Sequence, residues 1–109
     1  MQKLFYDCET YSATHIRNGM YRYAADAEIM LVSYAIDDSP VQCWDLTLGG
    51  ACPADLAEAL VTTPEVWAHN AMFDRAVLRL GKNAGCFGVA CPEISRWRCS
   101  MVQALCHGL

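Results

Sequence analysis

Residues 3–8, Lys3-Leu4-Phe5-Tyr6-Asp7-Cys8, have the two-residue alternation of a β-strand, and Glu9 and Thr10 follow directly. Successive side chains of a strand point to opposite faces, so Phe5, Asp7 and Glu9 leave one face and the residues between them leave the other. Two neighbouring carboxylates repel each other unless a cation lies between them. A divalent metal ion is the candidate cation.

The composition is that of one small globular domain. The chain has 109 residues, of which 54% are apolar and 18% charged, which suits an α/β domain and excludes a disordered chain. No apolar run reaches the roughly 18 residues that cross a bilayer, and no signal peptide is recognisable, so we expect a cytoplasmic protein. The net charge of −4 argues against a broad basic surface for duplex DNA.

The cysteines are expected to be free thiols. There are seven of them, an odd number, and no Cys-x-x-Cys pair occurs. Cys99, Cys106 and His107 are spaced unlike any familiar zinc site. We therefore interpret the cysteines as small apolar residues.

The remaining pattern predicts a mixed sheet with flanking helices. Four further strands are expected at residues 29–36, 41–45, 66–68 and 95–101, with the first two forming a hairpin. Helices are expected for about ten residues from Pro53, at Ala71–Leu80 ending at Gly81, and from Val102 onward. Residues 11–28 and 82–93 are interpreted as loops. The order β-β-β-α-β-α-β-α is that of the ribonuclease-H-like α/β architecture, with an antiparallel meander of three strands and two parallel strands.

A second polar motif begins the helix expected at Ala71–Leu80. Asn70 and Asp74 stand four residues apart and so share one helical face. If the preceding strand lies beside the first strand, Asp74 approaches Asp7 and Glu9. Three carboxylates can bind two divalent ions of the magnesium or manganese type, and such a pair holds the attacking and leaving oxygens of phosphoryl transfer.

Both motifs resemble those of a known superfamily. Asp7-Cys8-Glu9-Thr10 resembles the first motif, D-x-E-T, of the DEDD or DnaQ-like 3′-to-5′ exonucleases, and Asn70-Ala71-Met72-Phe73-Asp74 resembles the second, N-x-x-x-F-D. Residues 9–12, 21–24, 68–71 and 96–109 also resemble the exonuclease domain of phage family A DNA polymerases. The resemblance implies a proofreading-type exonuclease that hydrolyses 3′-terminal phosphodiesters of DNA with two Mg²⁺ or Mn²⁺ ions.

The resemblance also implies a role for each carboxylate. Asp7 would bridge both metal ions, Glu9 would bind the ion that activates water, and Asp74 would hold the second ion directly or through water. The implied partners are a single-stranded 3′ end of DNA, with RNA as a possibility, and a polymerase domain in the same full-length chain.

Three more positions are implied to meet the substrate. Thr10 would contact the terminal nucleotide, largely through its backbone. Asn70 would orient the site or touch the substrate, and Phe73 would pack beneath it.

The chain departs from the family pattern at its third motif. That motif, Y-x-x-x-D or H-x-x-x-D, has no counterpart after Asp74, where Glu93 is the sole acid. We therefore expect residues 1–109 to be the N-terminal part of a single, C-terminally truncated exonuclease domain. As a fragment it would be weakly active or inactive, and its open face could favour self-association.

Two other functions remain open from the sequence. One is a stand-alone exonuclease or exoribonuclease of the same superfamily, and the other is a non-catalytic module for binding nucleic acid or docking protein.

Several residues also have simpler structural interpretations. Asn70 could cap its helix and His69 could be a hydrogen-bonded strand-end histidine. Tyr21 and Tyr23 could stack on bases or could cover the core. The pairs Arg75 with Arg79 and Arg96 with Arg98 could meet nucleic acid, or belong to a solvated helix face and an edge strand respectively.

Overall fold

A five-stranded mixed sheet is the centre of the computed structural model, which describes residues 1–108. The strands are β1 (Lys3–Ser12), β2 (Ala27–Ile36), β3 (Gln42–Asp45), β4 (Glu65–Ala68) and β5 (Trp97–Cys99). The helices are α1 (Met20–Ala25), α2 (Ala54–Thr62), α3 (Ala71–Leu80) and α4 (Ser100–Cys106). Short 3-10 turns occupy Ile16–Asn18, Leu46–Leu48, Ala84–Phe87 and Ile94–Arg96.

The sheet confirms the predicted fold class. Its strand order is β3-β2-β1-β4-β5. The three strands β1, β2 and β3 pair in antiparallel fashion, whereas β4 is parallel to β1 and β5 is parallel to β4. This is the mixed sheet of a ribonuclease-H-like α/β fold, with β1 in the middle.

One face of the sheet carries the hydrophobic core. Burial along β1 alternates, with Leu4 and Tyr6 buried and Phe5 exposed between them. The buried side chains of β1 belong to one core cluster with Leu60 of α2 and Val77 of α3. Phe5 points to the opposite face, where it remains 42% exposed. The helices therefore cover one face of the sheet and leave much of the other open.

The prediction of a loop at residues 11–28 is wrong. Strand β1 continues to Ser12, α1 occupies Met20–Ala25, and β2 already begins at Ala27. The hydroxyl groups of Thr10 and Tyr23 lie 2.9 Å apart, and the Ser12 hydroxyl donates to the Tyr23 carbonyl at 3.0 Å. These tertiary contacts hold the segment against the end of β1, although its local sequence is polar and aromatic.

The predicted fifth strand is shorter than expected, and the loop before it contains a turn of 3-10 helix. The Arg96 guanidinium donates to the Thr63 carbonyl at 2.7 Å, and the Trp97 indole donates to the Pro92 carbonyl at 3.0 Å. Met101 N already donates to the His69 carbonyl at 3.1 Å, so α4 begins directly after β5. These contacts limit β5 to three residues.

Other predictions are confirmed. Helix α3 spans Ala71–Leu80, and α2 follows Pro53 at its N-cap. All seven cysteines are free. Four of them pack against the core, namely Cys8, Cys52, Cys91 and Cys99. No helix within residues 1–108 is long and apolar enough to span a membrane.

Gly81 is predicted to be required at the end of α3. A Cβ atom at this position would lie 2.7 Å from the Val77 carbonyl oxygen and 3.4 Å from that of Ala27. Gly81→Ala should therefore lower the free energy of unfolding by about 1–3 kcal/mol, measured by urea denaturation.

Gly85→Ala is the matched control, because nothing lies within 4 Å of a Cβ atom there. It should change the free energy of unfolding by less than about 0.5 kcal/mol. Equal effects of the two substitutions would contradict the steric explanation.

Candidate active site

The candidate site lies where the second half of β1 passes the first turn of α3. Asp7 and Glu9 are exposed on the open face of β1, opposite Ser33 and Leu31 of β2. Strand β4 runs parallel to β1, and only two residues separate it from α3. This short connection places Asp74, in the first turn of α3, near β1.

Asp74 contacts β1 through Cys8. The carboxylate is only 4% exposed, and the Cys8 thiol donates to its Oδ1 at 3.2 Å. Burial raises the pKa of Asp74 to about 6, with the negative charge of Asp7 adding to the increase and the hydrogen bond from Cys8 opposing it. Burial likewise raises the pKa of the Cys8 thiol well above its ordinary value, so the thiol stays protonated and donates.

The three predicted carboxylates do not form a compact ligand set in the described part of the chain. No group of three or more His, Cys, Asp or Glu side chains that could hold a metal ion occurs within residues 1–108. Cys8 faces α3, whereas Asp7 and Glu9, one residue to either side of it, leave the strand on the opposite face.

The chemistry of these donors nevertheless suits a hard divalent cation. All three are carboxylates, the ligands that Mg²⁺ and Mn²⁺ prefer. Within residues 1–108, no Lys or Arg forms an ion pair with Asp7, Glu9 or Asp74. Metal binding by these residues stays a prediction.

A β-bulge interrupts the pairing of β1 at the first motif. Glu9 pairs with Leu31 but Thr10 pairs with Ile29, so Met30 of β2 is an extra residue. Bulges bend a strand and are over-represented next to active sites. No glycine or proline marks this bulge in the sequence, which is why pattern analysis missed it.

Thr10 and Phe73 are linked through α1. The Thr10 hydroxyl lies 2.9 Å from the Tyr23 hydroxyl, and the Tyr23 ring packs on the Phe73 ring with centroids 5.6 Å apart. Phe73 also packs against the core. Tyr23 thus has a structural role, and the predicted contacts of Thr10 and Phe73 with substrate stay predictions.

The structure also decides between interpretations of the second motif. Asn70 is the N-cap residue of α3, but its side chain makes no capping hydrogen bond, so the capping interpretation is wrong. The Asn70 side chain is exposed. His69 Nδ1 lies 3.1 Å from the Ser100 hydroxyl, which confirms the hydrogen-bonded strand-end interpretation.

A cavity of about 280 Å³ adjoins Asp7 on the open face of the sheet. Phe5, Trp67 and His69 line it together with Asp7, and most of its surface is apolar. It has the size and character of a subsite for one aromatic ring beside a carboxylate.

Arg96 and Arg98 have structural roles at the edge of the sheet. Arg96 donates to the Thr63 carbonyl, and Arg98 donates to the Ser95 carbonyl at 2.7 Å. The edge-strand interpretation of this segment is therefore confirmed.

The amino-acid sequence matches part of a polymerase. The alignment is 113 residues long and covers the whole chain, and over it the chain is 35% identical to the DNA polymerase of Bacillus phage SP02. The chain is similar to part of a phage DNA polymerase. It spans only 16% of the length of that protein. No protein-family model matches the chain, and no solved structure matches it either.

Asp74 is predicted to make stability depend on pH. A carboxyl group whose pKa is raised on folding stabilises the fold least when ionised, so its contribution falls as the pH rises from about 4 through about 6. Asp74→Asn removes this titrating group, so the variant should lose less stability than the wild type as the pH rises. With a chelator present, the free energy of unfolding of Asp74→Asn relative to that of the wild type should increase by about 2 kcal/mol between pH 4 and 7.

Urea unfolding at a series of pH values measures this difference, and comparison of the two proteins cancels the titration of the other acids. A difference that stays constant with pH would show that burial of Asp74 does not perturb its ionisation.

Proposed function

We propose that residues 1–109 belong to a metal-dependent 3′-to-5′ exonuclease domain of the proofreading type, within a phage-type DNA polymerase. The observation that carries the proposal is the pair Asp7 and Glu9, side by side on the open face of the central strand and next to the helix that bears Asp74. Similarity to a phage DNA polymerase along the whole chain supports the same context.

Each carboxylate has a proposed task. Asp7 would hold both divalent ions, Glu9 one of them, and Asp74 the second, directly or through water. When bound, such ions lower the pKa of a water molecule and stabilise the leaving 3′-oxygen. Cys8 is a positioning residue, because its thiol fixes one oxygen of the buried Asp74 carboxylate.

The cavity beside Asp7 is the proposed place for the 3′-terminal nucleotide. Its apolar surface includes the exposed ring of Phe5 and the indole of Trp67, and single-stranded ends are bound by stacking on such rings. Thr10 would contact the nucleotide through its backbone, because its hydroxyl is engaged with Tyr23. Asn70 would reach the strand with its exposed amide, and Phe73 would support the site from below.

The proposal needs a fourth carboxylate from elsewhere in the polypeptide. Glu93, the sole acid after Asp74, is exposed in the segment before β5. A stand-alone exonuclease or exoribonuclease would use the same site. A non-catalytic nucleic-acid-binding or protein-docking module would also be consistent with the lack of a three-ligand group in residues 1–108.

Asp7→Ala should abolish most of the exonuclease activity of the natural full-length protein. Loss of a shared metal ligand costs several kcal/mol of transition-state stabilisation, so the rate should fall by about three orders of magnitude. The measurement is the shortening of a 5′-labelled single-stranded DNA from its 3′ end in Mg²⁺ or Mn²⁺.

Asp38→Ala is the matched control, because Asp38 is an exposed aspartate in the turn between β2 and β3. It should retain full activity. Unchanged cleavage by Asp7→Ala would contradict the proposal and favour a non-catalytic module. Faster cleavage of a matched RNA would identify an exoribonuclease.

A further inference from the structure

A second cavity, of about 230 Å³, lies between α1, α3 and the segment that leads into β5. It shares no lining residue with the cavity beside Asp7. The side chains that matter for its chemistry are those of Tyr21, Met72, Arg75, Ile94, Trp97 and Cys99.

Arg75 is the one charged residue that lines this cavity. Its Nε atom is buried and has no hydrogen-bond acceptor in the described part of the chain. No carboxylate of residues 1–108 forms an ion pair with its guanidinium. Arg96 and Arg98, by contrast, donate to backbone carbonyls. Arg75 is partly exposed, so it lies between a fully solvated helix face and the core, and its positive charge has no carboxylate partner in residues 1–108.

The charge and geometry of Arg75 indicate the class of ligand. A guanidinium group presents donors that match the oxygens of a phosphate, often two at once. The protein as a whole has a net charge of −4, so this site would be local rather than part of a broad basic surface.

The rim of the cavity is apolar and open to solvent. Tyr21, Met72 and Ile94 are 55%, 66% and 69% exposed, respectively. A tyrosine ring and a thioether are favourable surfaces for a planar aromatic ring, and bases of single strands are commonly bound in this way. The volume is below that of a drug-sized pocket, which suits one base rather than an extended ligand.

We propose that this cavity binds one nucleotide of a single-stranded nucleic acid, with its base against Tyr21 and Met72 and its phosphate on the Arg75 guanidinium. Helix α3 carries both Arg75 and Asp74, so the cavity and the candidate active site are built on the same helix. The choice of a nucleic acid over other planar anions rests on the proposed function.

The test is equilibrium binding of a fluorescein-labelled oligothymidylate to the natural full-length protein. Chelator prevents hydrolysis, and fluorescence anisotropy is recorded at several salt concentrations between about 50 and 200 mM. Arg75→Leu should weaken binding about tenfold and reduce the slope of log K against log salt by about 0.7, the value for one phosphate contact of a single strand. Tyr21→Ala should weaken binding about threefold or more and leave the slope unchanged.

Arg79→Leu is the matched control, because Arg79 lies one turn further along α3, is exposed and does not line the cavity. It should change the affinity less than twofold. Wild-type affinity and slope in Arg75→Leu, or an equal loss in Arg79→Leu, would overturn the proposal.

Two further variants keep the test decisive. If Arg75→Leu does not fold, Arg75→Lys preserves the charge but not the fork of donors, and should retain the salt slope while losing affinity. Wild-type affinity in both Arg75→Lys and Tyr21→Ala would then overturn the proposal. The cleavage assay of Asp7→Ala tests the proposed function separately from this binding site, because Asp7 does not line the second cavity.

Discussion

Strand β1 is hydrogen-bonded on both sides, to β2 in antiparallel and to β4 in parallel register, and the rest of the molecule depends on this double pairing. Leu4 is opposite Ile36 on one side and Val66 on the other. Because side chains alternate along a strand, this register turns Leu4 and Tyr6 into the core. A slip of one residue would bury Asp7 in place of the apolar side chains, so the position of the acids is coupled to the packing of the core.

The same register determines how α3 meets the strand. Strand β4 ends at Ala68 and α3 begins at Ala71, so the first turn of the helix lies against the covered face of β1. On that face the partner of Asp74 is the Cys8 thiol. Burial beside a neutral donor, with the charge of Asp7 nearby, explains why Asp74 has a raised pKa. Asp74 therefore lies beside Cys8, and the charge of Asp7 on the neighbouring position of β1 still acts on it.

The sequence alone predicts those features that have a local signature. Residues 3–8 show the alternation of β1. The short apolar run of β4 indicates an abrupt step into α3, and Gly81 indicates where α3 ends. The alternation also assigned Asp7 and Glu9 to one face correctly.

Other features arise from contacts between distant segments, which no local pattern records. Helix α1 forms because Tyr23 meets Thr10 and Phe73 across the fold, although its own sequence resembles a loop. The bulge beside Glu9 and the burial of the Arg75 Nε atom likewise depend on segments elsewhere in the chain. Whether Asp74 joins Asp7 and Glu9 around a metal ion stays a prediction.

Metal binding by Asp7, together with Glu9 and Asp74, is the proposal on which the proposed function depends. The most direct measurement is a calorimetric titration of Mn²⁺ into the natural full-length protein, the Asp7→Ala variant and the Asp38→Ala control. We expect Asp7→Ala to bind Mn²⁺ at least about tenfold more weakly, because the ion loses a hard anionic ligand, and Asp38→Ala to bind as the wild type does. Equal Mn²⁺ affinity in all three proteins would contradict it.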